Sequence, residues 1–403
     1  MRYVARGRPL RPAEPTILSD IRLVSAPSTR GPFDPQALRA LAACLSFAAP
    51  DAAALRVAVA RVGADSLFAL ADLLGLKPAL AMALRDKRAF ADVPAFALPD
   101  GRRSIARTMA DEIGQHEERR TILAERLTEI VVACNAAGIE PLLIKGARSL
   151  WLGAPRWRAM LDLDILAAGG EAERVQALLK TIGYAEPAGL AERPHRHHLS
   201  PLVRRDAPGP IEVHRRAGNR YAEPLLPTPE LELVAELRIG AGGGRARILP
   251  APHHALHALV HHHVGHGGDV RGLVEVKGLY EFAGEAAGMD AKERAVTIER
   301  ARRHPRLLAA LDLWVAAARD LFAAPLEAPF AACADADARW RRDFARMTDV
   351  RSSRWKYPGY GEELAMSLDA ARAARVEPDG GLFARLALGW RAAVSFLPKN
   401  PYD

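Results

Sequence analysis

The sequence predicts an α+β protein of mixed α/β character, in which a small mixed sheet is set between helical regions. Three observations predict it. Residues 104–225 alternate between helical and strand periodicity, in the order helix, strand, helix, strand, helix, strand, strand. Residues 35–103 and 226–403 instead repeat Ala- and Leu-rich stripes at helical spacing, interrupted by Pro and Gly. No window approaches 18 uninterrupted apolar residues, so no transmembrane helix is expected.

Residues 1–34 are rich in Pro, Arg and Ser and read as an N-terminal arm. From 35 to 98, breakers such as "FAAPD" and "LKPAL" divide the chain into several short helices. Residues 104–136 read as one long amphipathic helix, with Ile122, Leu123, Leu127, Ile130, Val131 and Cys134 on one face and Gly138 as its stop. "PLLIKG" is a short strand, "ARSLWL" a helical turn or two, "MLDLDILA" a strand, and "EAERVQALLKTIG" a helix. "RHHLSPLVRR" and "PIEVHRR" read as two strands joined by the turn "DAPG". After residue 226 every segment reads as helix, from the histidine-studded "PAPHHALHALVHHHVGHGGD" to a last helix, "GGLFARLALGWRAAVSFL", ending before Pro398.

The chain has 403 residues, 49% hydrophobic and 26% charged, which is ordinary for a folded protein of two or three domains. Its formal charge is +8, and only eight basic residues are lysines. Arginines scattered along the chain suit a solvated surface, and they also suit a polyanionic partner such as a nucleotide or RNA. Cys44, Cys134 and Cys333 are far apart, which excludes a disulfide framework and a cysteine zinc site and fits a reducing compartment. The N-terminus lacks the apolar core of a secretory signal, so a cytoplasmic protein without a membrane partner is expected.

The chemistry is concentrated in residues 142–214. In "MLDLDIL", strand alternation sends Leu161, Leu163 and Ile165 to one face and Asp162 and Asp164 to the other. Two carboxylates side by side repel, and a divalent cation between them relieves that. In "IEVHR", Glu212 and His214 likewise share a face. If that strand neighbours the first, Glu212 becomes a third acid, because adjacent strands lie about 4.8 Å apart. Taken alone, an Asp-x-Asp pair equally suits a solvent-facing strand. Lys145 ends the preceding strand and Arg158 enters the acidic one; both read as exposed charges whose loss changes stability little. His253, His257 and His261, spaced by four, suit either a zinc site or a hydrogen-bonded helix face. The segment 193–205, with four arginines and three histidines, either flanks an anion or forms an ordinary hairpin.

The run Lys145-Gly146, Arg158, Asp162-Leu163-Asp164-Ile165-Leu166 and Ile211-Glu212-Val213-His214 resembles the uncharacterised nucleotidyltransferase family, within the DNA polymerase β-like nucleotidyltransferase superfamily. The resemblance is best over residues 120–215 and implies a nucleotidyltransferase core over 104–225, with helical regions at 35–103 and 226–403. It implies that Gly146 is the phosphate-holding turn and that Asp162, Asp164 and Glu212 bind Mg²⁺ or Mn²⁺. It also implies a nucleoside triphosphate substrate, with ATP the expected donor. A nucleotidyl group would pass to a small-molecule, peptide or RNA hydroxyl, releasing pyrophosphate. Where the superfamily has Gly-Ser or Gly-Gly, this chain has Gly146-Ala147, which leaves phosphate contacts to backbone N–H groups, Lys145 or Ser149, and Arg158 is expected to offset phosphate charge from the other side. A non-catalytic binding module on the same fold and a kinase are the alternatives.

Overall fold

The computed structural model describes residues 34–48, 51–90, 105–187, 197–205, 208–219, 221–330 and 333–348. The expected arm, apart from Asp34, and the expected last helix lie outside these residues.

Four short helices come first: α1 (Pro35–Leu45), α2 (Ala52–Val62), α3 (Ala64–Leu73) and α4 (Lys77–Asp86). Asp34 and Asp51 start the first two by accepting hydrogen bonds from the N–H groups of Gln36 and Ala53. The long helix α5 (Ile105–Ala136) follows. Its stripe runs through two hydrophobic cores. Ile105, Met109 and Ile113 pack in one, while Leu123, Leu127, Ile130, Val131 and Cys134 pack in the other. Past its end, Gly138 adopts φ 77° and Ile139 N–H returns to the Cys134 carbonyl, a stop that a side chain at 138 would strain.

The core then runs β1 (Leu142–Leu143), α6 (Lys145–Trp151), β2 (Leu163–Leu166), α7 (Ala172–Thr181), β3 (Ile211–His214), α8 (Thr228–Val234), β4 (Glu236–Ile239) and β5 (Arg245–Ile248). The sheet order is β3-β2-β1-β5-β4. β2 is antiparallel to β1 and parallel to β3; β5 is parallel to β1 and antiparallel to β4. One face carries Leu143, Leu163, Ile165, Ile211, Val213, Ala246 and Ile248, packed with the second half of α5 and with Val175 and Leu179 of α7. The opposite face carries Leu142, Ile144 and Leu166, which join the core of the flanking helices. Alternation therefore turns the acids of β2 and β3 toward that helical core rather than toward open solvent.

Three expectations are revised. The sheet extends past residue 226, because "ELRI" and "RARI" form β4 and β5 around the turn Gly240–Gly244. β4 is an exposed edge of four residues; its Glu-Leu-Arg-Ile alternation is short and none of its side chains is buried, so its sequence carries little strand signal. Residues 197–205 pair with β3 only through isolated bridges at His198 and Leu202 and do not make a regular strand. Leu161, expected beside Leu163, precedes β2 and is exposed.

The C-terminal helices are α9 (Ala251–Leu259), a π-helical turn Val260–Gly265, α10 (Gly268–Arg271), α11 (Val276–Gly288), α12 (Ala291–Arg302), α13 (Pro305–Phe322) and α14 (Ala334–Met347). Asp290 and Glu293 form a reciprocal capping box on α12. Trp314, Phe282, Phe322 and Trp340 fill the core between them. No described helix is long and apolar enough to cross a membrane.

Candidate functional site

Asp164 is the centre of the site. Its Cα pairs with that of Glu212 across the parallel β2–β3 ladder, so both side chains leave the sheet on one face. Asp164 is 1% exposed, and its Oδ1 accepts from Lys145 Nζ and from His214 Nε2, both at 2.8 Å. His214 Nε2 lies 3.7 Å from Glu212 Oε2. The ligand atoms of Asp164, Glu212 and His214 fall within 4.8 Å of one another. Asp162 stands outside that tight group but within its field. Burial and then the Asp164 charge raise its carboxyl above the ordinary value.

Burial alone would raise the Asp164 carboxyl, but Lys145 and His214 outweigh it and hold Asp164 well below the usual range. Burial would likewise lower Lys145, but Asp164, Glu212 and Asp162 more than offset that and raise it. Burial and the Lys145 charge depress His214, so its imidazole is neutral at pH 7 and donates one hydrogen bond.

The local chain geometry puts Lys145 there. Ile144 follows β1 in extended conformation, and Lys145 opens α6 with φ 49°, a left-handed value rare for a side-chain-bearing residue. Gly146 lets α6 lie against the loop before β2, since a Cβ at 146 would meet Met160 Cγ at 3.0 Å. Helix α5 holds that loop: His116 Nε2 donates to the Arg156 carbonyl at 2.7 Å, and Arg119 Nε to the Met160 carbonyl at 3.1 Å. Ala147 and Ser149 are buried.

Arg158 corrects the reading of an exposed charge. It is buried: its Nε donates to Glu281 Oε1 of α11 at 3.0 Å, its Nη2 forms an ion pair with Glu281 Oε2 at 2.8 Å, and its Nη1 donates to Ser149 Oγ at 3.0 Å. Lys145 is likewise nearly enclosed, at 13% side-chain exposure. Arg204 of the basic segment turns away to form a double ion pair with Glu129, both contacts 2.9 Å.

Sequence reasoning passed over His214, although it had placed it on the Glu212 face. It also missed His197, whose ring lies 5.3 Å from that of His214 and which burial pushes down to about 2. Lys277 was missed too: it acts electrostatically on Asp162 and lies 4.0 Å from Glu281. Scarcity of lysine was the one signal that could have marked it. His253, His257 and His261 do not converge. His257 Nε2 donates to the Ala217 carbonyl at 3.0 Å, and His253 answers to Glu230 and Arg300.

A small mixed sheet, acids on register-matched strands and helical flanks make this a nucleotidyltransferase core in build. A family model described as uncharacterised nucleotidyltransferase matches residues 60–322, and the chain belongs to that family. Membership places it among transferases that move nucleotidyl groups, enzymes that generally use nucleoside triphosphates and divalent metals. The match takes in α3–α13, so the helical flanks belong to the family's unit along with the sheet. No curated protein and no solved structure matches the chain.

Proposed function

We propose that this protein transfers a nucleoside monophosphate from a nucleoside triphosphate, ATP by default, to an acceptor hydroxyl with release of pyrophosphate. The relation to the DNA polymerase β-like superfamily and a cytoplasmic setting are parts of the same proposal. The observation that carries it is the register pairing of Asp164 with Glu212 around a lysine, beside an Asp162 whose carboxyl is raised.

The donor set suits a hard divalent cation, Mg²⁺ or Mn²⁺: carboxylate oxygens of Asp162, Asp164 and Glu212, with the His214 imidazole close by. Asp162 is raised first by burial and then by the Asp164 charge, and a cation bound between the two carboxylates would relieve the second of these. Such a cation, when bound, stabilises phosphate charge and lowers the pKa of an acceptor hydroxyl. The remaining work falls to the chain. Lys145 exchanges part of its contact with Asp164 for the incoming phosphates, and the N–H groups of Gly146 and Ala147 lie beside it. Glu212, more open than Asp164 at 22% side-chain exposure, takes the proton of the acceptor hydroxyl. Ser149 and Arg158 hold the floor of the site and do not touch phosphate directly. The acceptor is a small molecule, a peptide or an RNA hydroxyl.

The test incubates the full chain with each nucleoside triphosphate, Mg²⁺ or Mn²⁺ and acceptor pools, and reads pyrophosphate. Release is expected from the wild type only with metal, and at least a hundredfold less from Glu212→Gln. Release of nucleoside diphosphate instead would establish a kinase. Metal-dependent nucleotide binding with neither product would leave the binding module.

A further inference from the structure

Within the helical region, the π-helical turn Val260–Gly265 interrupts the run from α9. Such turns are frequent at functional sites. It carries His262 and is followed at once by His266. Both rings converge on Glu275, the residue before α11. His262 Nδ1 lies 3.0 Å from Glu275 Oε1, and His266 Nδ1 lies 2.8 Å from Glu275 Oε2. One ligand atom from each of the three falls within 4.8 Å of the others.

We propose that His262, His266 and Glu275 form a metal site of their own, for a transition cation of the zinc class, beside the acidic site on the sheet. Four arguments carry it. Two imidazoles and one carboxylate are the donors a borderline cation prefers, whereas Mg²⁺ prefers oxygen alone. Zinc bonds of 2.0–2.1 Å set tetrahedral ligands about 3.3 Å apart, and the two nitrogen–oxygen contacts here already lie near that spacing. The remote nitrogen of His262 faces a second acid, Glu281 Oε2, at 3.7 Å, outside hydrogen-bond range but near enough for its charge to favour a cation on the ring's other nitrogen. Finally, entry is open: the side chains of His266 and Glu275 are 37% and 27% exposed, while His262 is 10% exposed and anchors the group.

Three protein ligands leave a fourth tetrahedral position for water or for an atom of a bound molecule, which is the build of a working site rather than a closed structural one. Its neighbours tie it to the sheet. Glu281 also holds Arg158, which touches Ser149 of α6, and Lys277 lies between Glu281 and the field of Asp162. The ring of His261 packs at 4.8–4.9 Å from those of His266 and His262. The site does not depend on the nucleotidyl-transfer reading, since none of its ligands belongs to the acid set.

Cobalt(II) is the probe, because three nitrogen and oxygen ligands with an open position give it visible absorption far more intense than that of octahedral cobalt. Chelator-treated full chain, in excess Mg²⁺, is titrated with Co²⁺ and then with Zn²⁺. One equivalent of Co²⁺ is expected to develop the band, and Zn²⁺ to abolish it. The affinity is expected to fall at least tenfold in His266→Gln and to remain unchanged in Glu212→Gln. A second readout needs no variant: Zn²⁺ should protect His266 of the wild type from acylation by diethylpyrocarbonate, read by peptide mass spectrometry. The proposal is overturned by absence of the band, by a band that survives His266→Gln, by a band lost with Glu212→Gln, or by unprotected His266.

Discussion

Lys145 and Arg158 carry the same formal charge, yet the fold treats them differently. Lys145 takes a left-handed backbone conformation, which costs a side-chain-bearing residue about 1–3 kcal/mol and is typical of functional sites. Its return is a contact with Asp164 that phosphates could share. Arg158 is committed to Glu281 by one hydrogen bond and a second ion-pair contact in a buried setting. Removing one partner of such a pair leaves an uncompensated charge, at a cost of about 3–5 kcal/mol. Arg158→Ala is therefore expected to unfold at markedly lower urea concentration than the wild type. The double variant Arg158→Ala/Glu281→Gln should recover part of that loss, because the two residues act as one unit. Equal urea midpoints for wild type and Arg158→Ala would remove the pair from the account. Asp164→Asn carries a similar hazard, since it strands the Lys145 ammonium, so loss of activity in that variant alone would not separate chemistry from folding.

Helices α6, α9 and α11 meet through a second buried polar group. Arg148 donates to the Leu249 carbonyl at 2.8 Å and pairs with Glu285 at 2.9 Å, while His254 lies 3.4 Å from the same carboxylate. Burial would raise Glu285, but His254 and Arg148 outweigh it and hold it at about 2. His254 is itself depressed by burial and Arg148, so near neutrality the partner that carries charge is Arg148. A carboxyl depressed by folding stabilises the native state above its unfolded value, 4.5, and loses that contribution as pH falls toward about 2. The contribution is at most about 3 kcal/mol. Melting temperature recorded from pH 7 to pH 2 should show this loss in the wild type, and a shallower fall in Glu285→Gln, which starts lower at pH 7. Parallel curves for the two proteins would show that Glu285 stays uncoupled from the fold.

Across the whole molecule, α5 links the two hydrophobic cores. Its first half packs with the flanking helices and its second half with the sheet. Neither core can lose this helix without exposing the other's face to it. Leu127 is fully buried in the sheet core, and truncating a buried leucine to alanine costs about 2–5 kcal/mol. In Leu127→Ala, unfolding followed by helical circular dichroism and by tryptophan fluorescence should move together to lower temperature. Trp314 and Trp340 report on the other core and Trp151 on the sheet core, so in a Trp151→Phe background a fluorescence transition left at its reference position would show that the cores melt separately. The acidic cluster lies on the sheet face turned toward the flanking helices, so its geometry is tied to this joint stability.

Sequence alone determined the elements whose signal is local. Alternation in "MLDLDIL" and "IEVHR" set which residues share a face, helical spacing set α5, and Gly138 set its end. That Asp164 and Glu212 share a face was legible for the same reason, because period-2 patterning needs no knowledge of the partner strand. The edge strand β4 was not legible, since its Glu-Leu-Arg-Ile alternation spans only four residues and serves no buried face. Which charges pair was equally invisible: Arg158 and Glu281 are 123 residues apart, and Lys145 and Asp164 are 19. Nor could the spacing of His253, His257 and His261 announce that a π-helical turn would instead carry His262 and His266 to Glu275. Faces follow from the covalent chain's own periodicity, but pairings between distant charges follow from packing, which brings residues together without regard to their separation in sequence.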